Sequence, residues 1–493
     1  MNRADPAGKD DRASAHVAIV GGGIAGLAAA HFLRDTPAQV TLFESSPRIG
    51  GKLVVSEIAG IPVDEGAEAM LARRPEGTDL ARAVGLAGEL VSPGTTAAAI
   101  WTRRALRPLP AGQLMGVPGD LATLARSGVL SGPGVARATL DLVLPATRHE
   151  GDVAVASHVG ARLGHEVVDR LVEPLLGGVY AGRADQLSFE ATLPGLAAAA
   201  GSHRTLTGAA RSVLGRARTS EHGPVFTTLA GGLGTLPDAV ATASGAKIRT
   251  GATVRELRRT PDGWRLAVGS VESPEYVHAD AVVLAIPARP ASRLLRADVP
   301  AAGAALGEIE YASMAIVTLA FPRGAFPRPL RGSGYLVPAV DGHAVKAVTF
   351  STVKWPHLTA ADRPRRTSGD VADCEAVRCS IGRIGEEQVL QRSDEDLARL
   401  ARDELAAAVG VSGQPVAARV TRWGGALPQY TVGHKERVAR IRAAVAGQAG
   451  LAVCGAAYDG LGIPACIATA RRASSQIAAH LAQRAGAQTG EGE

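Results

Sequence analysis

An α/β fold is predicted, built on a parallel sheet that the chain leaves and rejoins twice, with a second sheet-based unit and a helical lobe in the excursions. Three observations predict it. Residues 16–20, His-Val-Ala-Ile-Val, form a short apolar run of the kind buried on both faces of a parallel sheet, and a glycine-rich turn and a helix-period segment follow. Strand-type segments return at 246–250, 253–258, 264–268 and 281–286, and again at 451–454. Between these visits lie an Ala-, Leu- and Gly-rich stretch of helical spacing, about 80–220, and a region of strands and turns, about 305–425, that a helix at 394–409 interrupts.

Bulk properties narrow the functional classes. With 493 residues the chain is too long for one simple core, so two or three lobes are expected. Aromatics are only 3%, so the core is made mainly of Ala, Val, Leu and Ile. The net charge of +6 is spread along the chain, without the concentrated basic patch that nucleic acid demands. Cys374, Cys379, Cys454 and Cys466 have neither CxxC spacing nor a histidine at ligand spacing, so they read as buried thiols of a reducing compartment and no metal site is expected. Residues 1–15 lack the apolar core of a signal peptide, and no 18-residue apolar run occurs. A cytoplasmic protein with a structureless start and no transmembrane segment is the expectation.

The first strand leads into Gly21, Gly22, Gly23, Ile24, Ala25 and Gly26, a G-x-G-x-x-G turn that opens a helix at about 25–34. A second strand at 39–44 closes the βαβ unit and ends on Glu44, eighteen positions after Gly26. This spacing has a mechanism. Gly21 permits the tight turn, Gly23 lets backbone approach a pyrophosphate, and Gly26 lets the helix pack on the strand. The helix start then offers free N–H groups and partial positive charge to the phosphates, while Glu44 accepts the ribose hydroxyls. Ser45 follows it on the same loop.

The next residues separate FAD from NAD. Arg48-Ile49-Gly50-Gly51-Lys52 resembles the R-x-G-G-[RK] stretch of the large flavin amine-oxidase and desaturase class. A second glycine pair lets another backbone segment close over the cofactor, and Lys52 adds charge near the phosphates. Gly66, Ala67, Glu68 and Ala69 sit where that class brings backbone beside the isoalloxazine. At the other end, a strand at 451–454 meets the loop 455–464, and Pro464 stands at the first position of a helix to 484. Leu461, Gly462 and Ile463 precede it. A helix start aimed at the pyrimidine edge of a flavin stabilises the negative charge of two-electron reduction by roughly 1 kcal/mol.

Further stretches carry a closer resemblance. They are residues 172–182, V-E-P-L-L-G-G-V-Y-A-G, and 187–192, L-S-F-E-A-T. Then come 231–236, G-G-L-G-T-L, and Thr349-Phe350-Ser351 with Lys354-Trp355-Pro356-His357. Last are Arg422-Trp423, Ala426-Leu427-Pro428-Gln429-Tyr430 and Gly433-His434. In this order they resemble the oxygen-dependent porphyrinogen oxidases of heme synthesis, of the soluble Gram-positive and actinobacterial type.

The resemblance implies a Rossmann-like FAD-binding domain of the flavin amine-oxidase type, made of residues 16–80, 225–300 and 416–484. It implies a substrate domain at 301–415, a helical lobe at 81–224 that meets the bilayer in membrane-bound relatives, and structureless ends at 1–15 and 485–493. Val254 and Trp423 join the cofactor set. The implied reaction removes six hydrogens from a porphyrinogen in three cycles, with a hydride passing to the flavin and dioxygen yielding hydrogen peroxide. It asks for no catalytic side chain, only for orientation of the macrocycle.

Two substrates compete. Coproporphyrinogen III is a tetra-acid, and protoporphyrinogen IX carries vinyl groups in place of two propionates. Arg74, beside Arg73, stands where soluble relatives carry a basic residue and is the candidate for the extra carboxylates. Coproporphyrinogen III is favoured. An amine oxidase and a non-catalytic flavoprotein remain as rivals, as does a transient contact with the next enzyme of heme synthesis.

Overall fold

In a computed structural model, residues 14–147, 151–220, 224–359 and 374–490 are described. Five parallel strands form the first sheet in the order Lys247–Arg249, Gln39–Phe43, His16–Val20, Ala281–Leu284, Leu451–Val453. Three separate stretches of chain therefore supply one sheet. Alternation along the strands splits the core in two, because successive side chains point to opposite faces. Val17, Ile19, Ala281 and Val283 pack on one face against the helices Ile24–Leu33 and Ile463–Gly490. Ala18, Val20, Val282 and Leu284 pack on the other, with Trp264, Leu266 and the helices beyond residue 288.

The second sheet has seven strands, in the order Ala417–Pro428, Tyr311–Pro322, Cys374–Ile381, Val345–Phe350, Gly334–Leu336, Ala99–Thr102, Ala105–Pro108. Both its edges correct the expected boundaries. Residues 99–108 were assigned to a helical lobe, yet they form a hairpin of this sheet, with Thr102 opposite Ala105. Its two-residue turn is Arg103-Arg104, at φ of 50° and 59°. Such turns ordinarily announce themselves as Asn-Gly or Gly-Gly, and two arginines hide the signal. Residues 417–428 were assigned to the FAD-binding part beginning at 416, yet they pair antiparallel with Tyr311–Pro322. A half-exposed edge strand bearing Arg419 and Arg422 has little of the apolar run by which buried strands are recognised.

The remaining part of 81–224 is mainly helical. At its centre Arg162 and Asp141 form an ion pair of 2.6 Å, with side chains 2% and 0% exposed. Asp141 also accepts from Leu206 N, Thr207 N and Thr207 Oγ1, and so holds the start of the helix Leu206–Ser220. Asp141→Ala leaves the Arg162 guanidinium buried and uncompensated. A loss of about 3–5 kcal/mol is expected, read by urea denaturation. The terminal helix, Ile463–Gly490, runs past residue 485, where a structureless tail was expected. Ala485, Ala487 and Gln488 are good helix formers, and they prolong a helix that is already nucleated and packed. Residues 1–13 and 491–493 lie outside the described residues.

Candidate active site

One cavity of about 1120 Å³ runs from the first glycine turn to the seven-stranded sheet. This is above the roughly 300–1,000 Å³ of an ordinary small-molecule site, and suits two ligands lying end to end. Gly21, Gly23, Ile24, Ala25, Glu44, Ser45, Lys52, Gly66, Ala67, Glu68, Ala69, Val254, Trp423, Leu461, Gly462 and Ile463 all line it. Every one of these was singled out from the sequence.

The glycines divide the work as their spacing suggests. Gly21 has φ of +108°, and a Cβ there would lie 2.5 Å from the Ala285 carbonyl oxygen. A Cβ on Gly26 would lie 1.9 Å from the Gly21 carbonyl oxygen. Gly26 therefore sets helix against strand and does not itself line the cavity. Nor does Gly22, whose N–H donates to Glu44 Oε2 at 2.7 Å. Gly23 caps the helix Ile24–Leu33 without a side chain, and a Cβ there would meet nothing within 4 Å. The first-turn N–H groups have no helical partners, and no acidic residue stands in that turn. Gly50 N donates to the Gly22 carbonyl at 2.8 Å, so the second glycine pair lies across the first. Burial pushes the Lys52 ammonium below its ordinary pKa.

The segment 66–69 is held by charges that reach across from the second sheet. Lys354 Nζ donates to Glu68 Oε1 at 2.5 Å, and Arg378 reaches the other Glu68 oxygen and donates to the Gly66 carbonyl at 2.6 Å. Burial alone would raise the Glu68 carboxyl, but Lys354 and Arg378 override it and hold it at about 2. Lys354 belongs to a stretch singled out from the sequence without a role. Arg378 was missed. Its signal was a lone arginine in the apolar strand Cys374–Ile381, since arginine is almost never fully buried unless paired.

The stretches 172–182 and 426–434 meet behind the C-terminal loop. Gln429 Nε2 donates to the Tyr180 carbonyl at 2.8 Å. The Tyr430 hydroxyl donates to the Ala456 carbonyl at 2.6 Å and accepts from Gly460 N at 2.8 Å. His434 stacks on the Tyr430 ring with centroids 3.9 Å apart, and its imidazole is pushed down to about 4 by burial. These groups shape the turn that delivers Leu461, Gly462 and Ile463 to the cavity. Tyr430→Phe strands two loop groups, at about 1–3 kcal/mol for each buried one. A weakening of FAD affinity by roughly tenfold or more is expected, read by fluorescence titration of the apoprotein.

Arg74 departs from expectation. It precedes the helix Pro75–Ala83, its guanidinium pairs with Glu76 at 2.6 Å, and it is not among the residues lining the cavity. A carboxylate two residues further on captures the charge that was assigned to substrate. The cations that do line the cavity are Lys52, Arg255, Arg293 and Arg378.

A glycine cradle at a helix start, a second helix start at the far end, and a sheet-walled space between them define a dinucleotide-dependent oxidoreductase. The chain belongs to the flavin containing amine oxidoreductase family, whose model matches residues 24–478. It is 38% identical over 466 residues to the Mycobacterium tuberculosis (strain H37Rv) protein named coproporphyrinogen III oxidase, covering 93% of this chain and 96% of that one. It is 31% identical to the protein of that name from Bacillus subtilis, covering 94% and 98%. It also superposes on the crystal structure of an Exiguobacterium sp. 255-15 protein provisionally named a protoporphyrinogen oxidase, with a TM-score of 0.81, 30% identity and coverage of 95% and 99%. FAD is the cofactor of this chain. Among the described residues no helix is long and apolar enough to cross a membrane.

Proposed function

We propose that the protein oxidises coproporphyrinogen III to coproporphyrin III in the cytoplasm, in three two-electron steps, with dioxygen as final acceptor and hydrogen peroxide as co-product. The observation that carries this reading is the 38% identity, along almost the whole chain, to a protein named for that substrate. FAD, when bound in this cavity, would supply the hydride acceptor.

The chain's residues bind and orient. The starts of Ile24–Leu33 and Ile463–Gly490, which both line the cavity, would hold the cofactor by backbone N–H groups and helix polarity. Glu44 receives ribose hydroxyls. On the sheet side Met314, Ile316, Ala347, Thr349 and Ser380 give a mostly apolar wall for one face of a macrocycle, and Gly178 and Val179 of the helical lobe cover it. Removing water and fixing the distance to the acceptor is the catalytic contribution such a site makes.

The lining carries four basic against two acidic side chains, Lys52, Arg255, Arg293 and Arg378 against Glu44 and Glu68. That excess suits a diphosphate together with a polycarboxylate substrate. An amine oxidase is the rival reading, since Tyr311 and Trp423 line the cavity, each fixed at its polar edge. The Tyr311 hydroxyl accepts from Ala288 N, and the Trp423 indole donates to the Glu65 carbonyl. Product hand-over to the next enzyme of heme synthesis accompanies the proposal as a transient contact.

Porphyrin fluorescence in air, with coproporphyrinogen III and protoporphyrinogen IX side by side, tests the reading. Faster turnover of the tetra-acid is expected. Preference for protoporphyrinogen IX reverses the choice of substrate, and porphyrin no faster than without protein removes both.

A further inference from the structure

Behind Glu68 lies a second, much smaller cavity of about 20 Å³. Asp64, Glu68, Thr228, Ser351 and His357 are among its lining residues. Glu68 lines the main cavity as well, so this carboxylate is a shared wall between the two. Thr228 Oγ1 and Ser351 Oγ are buried and have no hydrogen-bond partner among the described residues. Gly232 keeps the space open, since a Cβ there would lie 3.1 Å from Asp64 Oδ1. A cavity needs roughly 10–15 Å³ and two to four polar partners to hold one water molecule, and this one offers both. An orphaned buried hydroxyl costs about 1–3 kcal/mol, and two on residues that line one small cavity call for a bridging molecule.

We propose that this cavity is a site for one water molecule bound by Asp64, Thr228 and Ser351, and that through it Asp64 takes up the proton that leaves the substrate with each hydride. The inference rests on the porphyrinogen-oxidising reading. In each cycle a bridging carbon gives up a hydride, with both bonding electrons, to bound FAD. In two of the three cycles a pyrrole N–H gives up the matching proton, and in the other a bridging C–H does, so that four C–H and two N–H hydrogens leave in all; each time the bonding pair stays in the ring as the new double bond. The proton passes by way of Glu68 and the water to the Asp64 carboxylate. It is drawn back when dioxygen takes the two electrons and becomes hydrogen peroxide.

The surroundings suit Asp64 to this part. It is 8% exposed and accepts from Leu233 N and Gly234 N, each at 3.1 Å. Arg378 faces it from the second sheet and Glu68 from its own segment, with Lys354 bound to Glu68. His357 shares the cavity, and the neighbouring Glu65 is neutralised by Arg419. Burial pushes the Asp64 carboxyl up to about 6, against those N–H donors and Arg378. Glu68, fixed by two cations, passes a proton on without keeping it.

The test is the anaerobic rate of flavin bleaching by coproporphyrinogen III between pH 5 and 9, in wild type, Asp64→Asn and Ser351→Ala, all loaded with FAD. The wild-type rate is expected to fall tenfold per pH unit below about pH 6, where Asp64 already carries its proton. Asp64→Asn should be at least tenfold slower at pH 8 and lose that limb. Ser351→Ala spares the Asp64 backbone bonds, so it reads the water site even if Asp64→Asn does not fold; a severalfold slowing is expected. A crystal structure at high resolution should show a water within hydrogen-bond distance of Asp64, Thr228 and Ser351. Wild-type rates across the pH range in either variant, or a dry cavity, overturn the proposal. Bleaching of the wild-type flavin leaves the reaction assignment standing, whereas wild type that fails to bleach defeats that assignment instead.

Discussion

Gly26→Val should yield a colourless protein. The new side chain starts from a Cβ that would sit 1.9 Å from the Gly21 carbonyl oxygen, so either the helix Ile24–Leu33 moves off the strand or the Gly21 turn deforms. Both alternatives displace the N–H groups that would face a bound pyrophosphate. Overpacking costs about 1–3 kcal/mol where side chains can adjust, and backbone adjusts less. The apparent Kd for FAD should rise by roughly 100-fold or more. Gly23→Ala is the informative partner, because its Cβ meets no protein atom within 4 Å. That variant should fold with wild-type stability and lose FAD affinity only by crowding the cofactor. Titration of both apoproteins, with their melting temperatures, checks the pair. Equal FAD affinity in Gly26→Val and wild type would contradict the geometry of the cradle.

Glu68→Gln should have the largest effect on stability of any single charge change at the site. Glu68, Lys354 and Arg378 have side chains 12%, 17% and 7% exposed. Removing one partner of a buried ionic cluster costs about 3–5 kcal/mol, because the cations left behind remain desolvated. The sign with pH follows from linkage. The Glu68 pKa is held at about 2 in the folded protein, against an ordinary 4.5. Its contribution is therefore fully present above about pH 4.5 and is lost as the pH falls towards 2. Urea denaturation of Glu68→Gln should show a large loss at pH 7 that shrinks steadily below pH 4.5. A variant as stable as wild type at pH 7 would show that the cluster contributes nothing net.

The cofactor half was readable in the sequence because its requirements are local. A turn at positive φ, a close helix–strand approach and a free helix start each demand glycine at set intervals, so Gly21, Gly23, Gly26, Gly50 and Gly51 mark it out. The substrate half is assembled by long-range pairing. Arg378 meets Glu68 across 310 residues of chain, and no spacing rule connects them. The hairpin at Arg103-Arg104 lacks the usual turn residues, and Ala417–Pro428 is an edge strand without an apolar run. Arg74 differs for another reason: Glu76 pairs with its charge, outside the residues that line the cavity. Stretches such as 349–357 and 426–434 stood out as patterns, yet their work became visible only in the fold. Lys354 and Tyr430 support segments that touch the flavin space from behind.

The central claim is that a porphyrinogen held against the sheet delivers electrons to FAD bound in this cradle. Anaerobic titration of the FAD-loaded protein with coproporphyrinogen III tests it most directly, with dithionite as the control for competent flavin. The account predicts rapid bleaching, three flavins reduced for each macrocycle converted to porphyrin, because six electrons leave in pairs. Flavin that dithionite bleaches but neither coproporphyrinogen III nor protoporphyrinogen IX reduces would contradict it.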